Sequence, residues 1–157
     1  MGKKIVLVSV VIIATIVAAL YFLPLMFIHP NPVPTDTFPI RFEKKNDDVL
    51  CAIVEQNEHA TKTVLSYCRV EVIYRHEVNG ALITDNFTFS ISENFSKSFD
   101  TLMISFFDDG DLYLGPGDYF EIENCNIDTR PDTYIQIQIF NGNTEKLIAS
   151  GRLSGPL

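Results

Sequence analysis

The chain has 157 residues, 46% of them hydrophobic, with 12 Lys and Arg against 20 Asp and Glu and a formal net charge of −8. No acid precedes Asp36, so beyond Lys3 and Lys4 the remainder carries 10 − 20 = −10. A body this acidic lacks the Lys and Arg stripe that a phosphate backbone requires, which excludes nucleic acid as a partner and direct adhesion to an anionic membrane face.

The first element is apolar. From Ile5 to Ile28 no residue is charged, and Ser9, Thr15 and Tyr21 supply the only polar side chains. As a helix this stretch spans roughly 36 Å at about 1.5 Å per residue, against a hydrocarbon core of about 30 Å. Pro24 sits near its far end, where it kinks or stops a helix without breaking the middle. Lys3 and Lys4 favour a cytoplasmic N-terminus, which places the C-terminal domain outside. The small residues Val17-Ala18-Ala19 also suit a signal-peptide cleavage site, but the apolar run exceeds the usual core of about 7–15 residues. The expectation is therefore a retained signal-anchor over residues 1–28, in a lipid bilayer through residues 5–28, in a single-pass protein of the cell membrane. Val6 stands where an N-myristoylation motif wants a hydroxyl.

A linker follows over residues 29–39, "HPNPVPTDTFP", carrying Pro30, Pro32, Pro34 and Pro39. Proline at this density favours an extended polyproline II strand, and about ten residues at ~3.1 Å each hold a domain ~30 Å from the lipid.

Residues 40–157 read as β. A short first strand, "FPIRFE", precedes "VLCAIVEQ" (49–56), "KTVLSYCRVEVIYRHEV" (62–78), "NFTFSIS" (86–92), "SFDTLMISFF" (98–107), "DYFEIEN" (118–124), "TYIQIQIF" (133–140) and "EKLIASGRL" (145–153). Alternation assigns faces: Ile135, Ile137 and Ile139 against Gln136 and Gln138, and Phe87, Phe89 and Ile91 against Asn86, Thr88 and Ser90. Val64, Cys68, Val70 and Val72 likewise share a face that excludes Arg69, Glu71 and Arg75. Asn79-Gly80 and Asn141-Gly142 are hairpin signals, and "LGPGD" (114–118) is a tight corner. The predicted fold class is all-β: an antiparallel β-sandwich of seven or eight strands preceded by one transmembrane helix, forming an extracytoplasmic domain. The absence of Trp, and of a Tyr two residues before Cys125, argues against a true immunoglobulin domain.

If "VLCAIVEQ" and "KTVLSYC" form a hairpin centred near His59 and Ala60, Cys51 and Cys68 face each other and make a candidate disulfide. A bridge from either to Cys125 is the alternative. The sequons "NFT" at Asn86 and "NFS" at Asn94 are candidate N-glycosylation sites, as in a glycoprotein on the extracellular side.

Little chemistry is visible. His29, His59 and His76 lack zinc-ligand spacing. Asp108, Asp109, Asp111 and Asp118 gather hard oxygen ligands in "FDDGDLYLGPGD", but the spacing misses the calcium loop pattern, and the stretch reads as a solvated acidic turn. There is no nucleophile elbow, no phosphate-binding glycine loop and no placed carboxylate pair. The chain is expected to be no enzyme and to need no cofactor.

With its N-terminal apolar helix and all-β body, closing on "LYLGPGDYFEIENCNIDTRPDTYIQIQIFNGNTEKLIASGRL", the chain resembles the archaellin and archaeal type IV pilin superfamily. That resemblance implies a surface filament subunit or a membrane-bound accessory of such a filament. In those filament subunits a small residue after basic ones marks the cut, whereas here Gly2 precedes Lys3 and Lys4 and Ile5 follows them. The order favours an uncut, anchored accessory.

The expected function is protein–protein interaction at the cell surface. A polymerising pilin-like subunit is the first alternative, and a carbohydrate- or small-ligand-binding domain the second. A protein partner and a homo-oligomer are the associations to test. Exposed aromatic residues beyond core needs mark such surfaces, which nominates Phe107, Tyr113 and Tyr119 with Asp108 and Asp109 as partner-binding residues.

Overall fold

The computed structural model of the chain describes residues 36–155, apart from 47, 93, 94, 126 and 128–131. The predicted anchor, most of the linker and the sequon asparagine Asn94 lie outside the described residues. Among the described residues no helix is long and apolar enough to cross a membrane.

Eleven strands follow in order: β1 (Phe38–Lys44), β2 (Val49–Val54), β3 (Thr63–Val64), β4 (Cys68–Val78), β5 (Ala81–Ser90), β6 (Ser96–Ser98), β7 (Met103–Phe107), β8 (Tyr113–Leu114), β9 (Tyr119–Glu123), β10 (Tyr134–Asn141) and β11 (Leu147–Ser154). The count exceeds the predicted seven or eight, and the reason is local. The stretch 62–78 is not one strand, because a single 3-10 turn at Leu65–Tyr67 divides β3 from β4. Likewise 98–107 breaks between β6 and β7, where the Phe99 N–H donates to the Leu102 carbonyl across a short turn.

Nine strands form one curled sheet in the order β5-β4-β10-β11-β1-β2-β9-β7-β6, and β3 pairs with β8 separately. The sheet is not purely antiparallel: β1 runs parallel to β11 through Phe38↔Ala149 and Pro39↔Ser150, then turns antiparallel onto β2 from Ile40 to Lys44. Strand β1 is thus shared by two halves of the sheet. Gly151 permits the transfer, since a Cβ there would lie 2.2 Å from the Ile40 carbonyl oxygen.

Alternating side chains of both halves meet in one core. Val70, Val72, Ile135, Ile137 and Ile139 come from one side, and Ala52, Ile104, Phe106, Phe120 and Ile122 from the other, all fully buried. Full burial of each larger side chain stabilises by about 1.5–3 kcal/mol. The predicted faces of β4, β5 and β10 are those observed, except that Val64 stands apart in β3 and is only half-buried. On the side away from β1, Phe89 stacks on Phe95 at 4.9 Å and Phe87 packs on Phe99 at 4.5 Å.

The turn signals resolve differently. Asn79 (φ 52°) and Gly80 (φ 84°) both take left-handed backbone, the two-residue hairpin turn expected between β4 and β5. The β10–β11 loop is longer. There the Asn141 side chain accepts from the Asn143 and Thr144 N–H groups, and Glu145, not Gly142, carries the positive φ of 55°.

Candidate functional site

The outer face of β1, β2, β9 and β7 carries two cross-strand rows. Register aligns Arg41, Ile53, Tyr119 and Phe107 in one, and Glu43, Cys51, Glu121 and Ser105 in the next. Side chains in register on one face are direct neighbours. Phe107 and Tyr119 accordingly stack, with ring centroids 4.9 Å apart and planes 16° from parallel. Both rings are half-buried although they face away from the core. Beside them lies an open groove of about 390 Å³, lined in part by Cys51, Ile53, Tyr119, Glu43, Glu121 and Lys45. Lys45 is ion-paired with Glu121, and Arg41 bridges Glu43 and Glu55.

The structure therefore brings Phe107 and Tyr119 together, with Asp108 and Asp109 following directly on Phe107. Tyr113 belongs to a different ladder, paired with Val64 in β3, and is 44% exposed. Among the described residues it makes no ring contact with the other two. Ile53 is not among the predicted site residues, and Cys51 is predicted only as a disulfide partner. Their alternation with buried Ala52 and Val54 marks them as outward-facing, but only the pairing of β2 with β9 sets them beside Tyr119.

The acidic loop is exposed from Asp109 to Leu112, as expected of a solvated turn, and its carboxylates also bind its own backbone. The Asp108 carboxylate accepts from the Gly110 and Leu112 N–H groups at 3.1 and 3.2 Å, and Asp109 accepts from Asp111 N–H at 3.1 Å. Asp111 accepts from Tyr113 N–H at 2.8 Å and pairs with Lys62, whose hydrogen bond holds the Asp111 carboxyl below its ordinary pKa. These carboxylates brace a loop that needs left-handed backbone at Gly110 and Leu112. Oxygens of Asp108, Asp109 and Asp111 gather within 4.8 Å; each side chain accepts from the loop's own N–H groups, while Asp108 Oδ1 is buried without a hydrogen-bond partner among the described residues.

Asp118 is a correction to the solvated reading. It is 1% exposed, and its two oxygens accept from Asp109 N–H at 3.1 Å and Gly115 N–H at 2.8 Å. Burial pushes its pKa up to about 6, against the pull of those two N–H groups, and the nearby Asp108 and Asp109 charges push the same way.

The expected Cys51–Cys68 pairing does not form. Cys51 in β2 stands in register with Glu43 and Glu121, whereas Cys68 in β4 stands opposite Asn141. The supposed hairpin fails because β2 pairs with β1 and β9, and β4 with β5 and β10. All three cysteines are free. Burial raises the Cys68 thiol to about 12, and burial with the Glu121 charge raises Cys51. Both are protonated at neutral pH and poor nucleophiles. Titration with a thiol reagent without reductant is therefore expected to find all three thiols in denaturant, with Cys68 unreactive in the native protein; two missing thiols in denaturant contradict this. Asn86 is exposed on β5, a position open to a glycan.

The sequence matches no protein-family model, and no curated protein matches it at a significant level.

Proposed function

We propose that this is a single-pass, membrane-anchored protein whose acidic β-domain lies outside the cytoplasm and binds a protein partner. The curled sheet is read as the two layers of a sandwich, with the outer face of β1, β2, β9 and β7 as the docking surface. The observation that carries the reading is the apolar row Ile53–Tyr119–Phe107, which faces outward, beside the groove, and serves no core. Aromatic anchors set in a polar rim are how protein interfaces concentrate their binding energy. Glu43, Glu55 and Glu121 on that rim are ion-paired with Arg41 and Lys45, so the rim is polar and of mixed sign, and the apolar row is what a partner would engage. The apolar run at residues 5–28 and the resemblance to archaellins and pilins support the location.

The test uses intact cells expressing the full chain with a C-terminal epitope. External protease is expected to remove the epitope while the chain remains in the membrane fraction. A photo-crosslinking residue at Tyr119 is expected to give a discrete adduct, and one at Lys146, exposed in the β10–β11 loop, none. A protected epitope removes the location. Equal labelling from both positions removes the docking surface. The Asp108 and Asp109 carboxylates are unsuitable targets, since replacing them also unbraces the loop.

A further inference from the structure

Among the described residues, the nine-stranded sheet ends at one side in β5, which has no neighbour there beyond β4. Exposed strand edges are templates for pairing with another chain, and proteins blunt them with short strands, Pro, Lys or bulges. The opposite edge, β6, is three residues long and contains Lys97. Strand β5 has ten residues, no Pro, Lys or Arg, and an unbroken register with β4 from Val78↔Ala81 to Arg69↔Ser90. Its one charged residue, Asp85, is turned inward, a placement that protects an edge when the charge is unpartnered; here the carboxylate already has partners, 2.9 Å from His76 Nε2 and 3.2 Å from Thr101 Oγ1.

The ladder fixes which groups are free. Just past β5, Ile91 N–H donates to the Cys68 carbonyl in the same register. Hydrogen-bonded pairs alternate along an antiparallel ladder, so Phe89, Phe87, Asp85, Ile83 and Ala81 direct their backbone groups at β4. Leu82, Thr84, Asn86, Thr88 and Ser90 direct theirs at the open edge, and all five are exposed. The tight Asn79-Gly80 turn, closed by Val78 and Ala81, has the same phase.

We propose that β5 pairs with β5 of a second copy of this chain, antiparallel about a two-fold axis at Asn86, joining two domains through one continuous sheet. The outward set is self-complementary about that axis. Asn86 meets its own copy, Thr84 meets Thr88, and Leu82 meets Ser90, so every outward N–H and C=O gains a partner. Thr–Thr neighbours are favourable cross-strand pairs. Ile83, 41% exposed, is set opposite Phe89 of the other copy. Charge points to the same occupant. Residues 68–90 hold two arginines (Arg69 and Arg75) against three acids (Glu71, Glu77 and Asp85) in a body of −10. Two copies of an acidic domain meet here with little repulsion. A glycan on Asn86 and this pairing exclude each other, so the sequon becomes a control over assembly.

The test is independent of the docking surface proposed above. The full chain, made in a host that leaves Asn86 unmodified and held in mild detergent, is examined by sedimentation. A dimer is expected, and Thr84→Pro is expected to raise its dissociation constant at least tenfold with little change in melting temperature. The Thr84 N–H faces the open edge, so the proline removes no bond to β4. In a second measurement, Asn86→Cys is expected to give an oxidised dimer on its own, whereas Thr84→Cys and Thr88→Cys cross-link when mixed. A wild-type chain that stays monomeric up to about 100 μM overturns the proposal. So does a dimer indifferent to Thr84→Pro, which places the contact elsewhere, or an Asn86→Cys chain that links no better than wild type.

Discussion

Gly151→Ala is expected to destabilise the domain by about 3 kcal/mol and to lower its melting temperature by on the order of 10 °C. The added Cβ would lie 2.2 Å from the Ile40 carbonyl oxygen, 2.7 Å from the Ile40 Cβ and 3.0 Å from its carbonyl carbon. Two of these atoms are backbone, so no side-chain rotation relieves the overlap. Conformational freedom is not the reason for glycine here, because Gly151 is absent from the positive-φ positions. An alanine would even gain several tenths of a kcal/mol by restricting the unfolded chain. The collision outweighs that gain because it falls where β1 leaves β11 for β2, the strand common to both halves of the sheet. Gly110→Ala is the control: it meets nothing within 4 Å but has φ 98°, so it should cost only about 1 kcal/mol of backbone strain. Denaturant titration of the three proteins decides. A Gly151→Ala chain as stable as wild type would mean that β1 does not cross β11 at this point.

Asp118→Ala is expected to cost about 3 kcal/mol, by leaving the N–H groups of Asp109 and Gly115 without their acceptor in a buried corner. The same corner is pinned to β2, with Val54 N–H donating to the Asp118 carbonyl and Gly117 N–H to the Val54 carbonyl. The carboxyl also titrates with a recognisable sign. Its folded pKa of about 6 lies above the ordinary 3.8, so between those values the folded state holds the proton more tightly than the unfolded one. Its contribution is full below about pH 4, declines as pH rises, and levels off above about pH 6, with a ceiling near 3 kcal/mol. The exposed Asp36 and Asp111, whose pKa values are lowered by Lys146 and Lys62, act in the opposite direction at lower pH. Asp118→Asn separates the two, since it removes only the first. The difference in stability between wild type and this variant should be larger at pH 5 than at pH 7. A difference that does not change with pH would show that Asp118 is charged throughout.

The legible parts of the molecule are those with a local cause. Ile135, Ile137 and Ile139 are buried and Gln136 and Gln138 are not because side chains alternate along any strand. Asn79-Gly80 turns where expected because both residues tolerate left-handed backbone. The failures have the opposite character. The Cys51–Cys68 pairing assumed that β2 and β4 are neighbours, but each pairs with a different strand next to it in sequence, β1 or β5, and with one far along the chain, β9 or β10. Asp118 read as a solvated acid because nothing local distinguishes it from Asp108, Asp109 and Asp111. Phe107 and Tyr119 were identifiable as candidates, but not the row that joins them to Ile53.

The sequence by itself determined an acidic all-β body, most of its inward faces, its hairpin turn at Asn79-Gly80, and an apolar segment long enough to span a bilayer. These follow from composition and short-range periodicity, which need no knowledge of what lies across a strand. Only the tertiary structure decided the strand order, the transfer of β1 between halves at Gly151, the burial of Asp118 and the open edge of β5. Each depends on which distant segments supply the facing hydrogen-bonding groups and excluded volume, and a strand's own residues offer two equivalent edges without naming the partner for either.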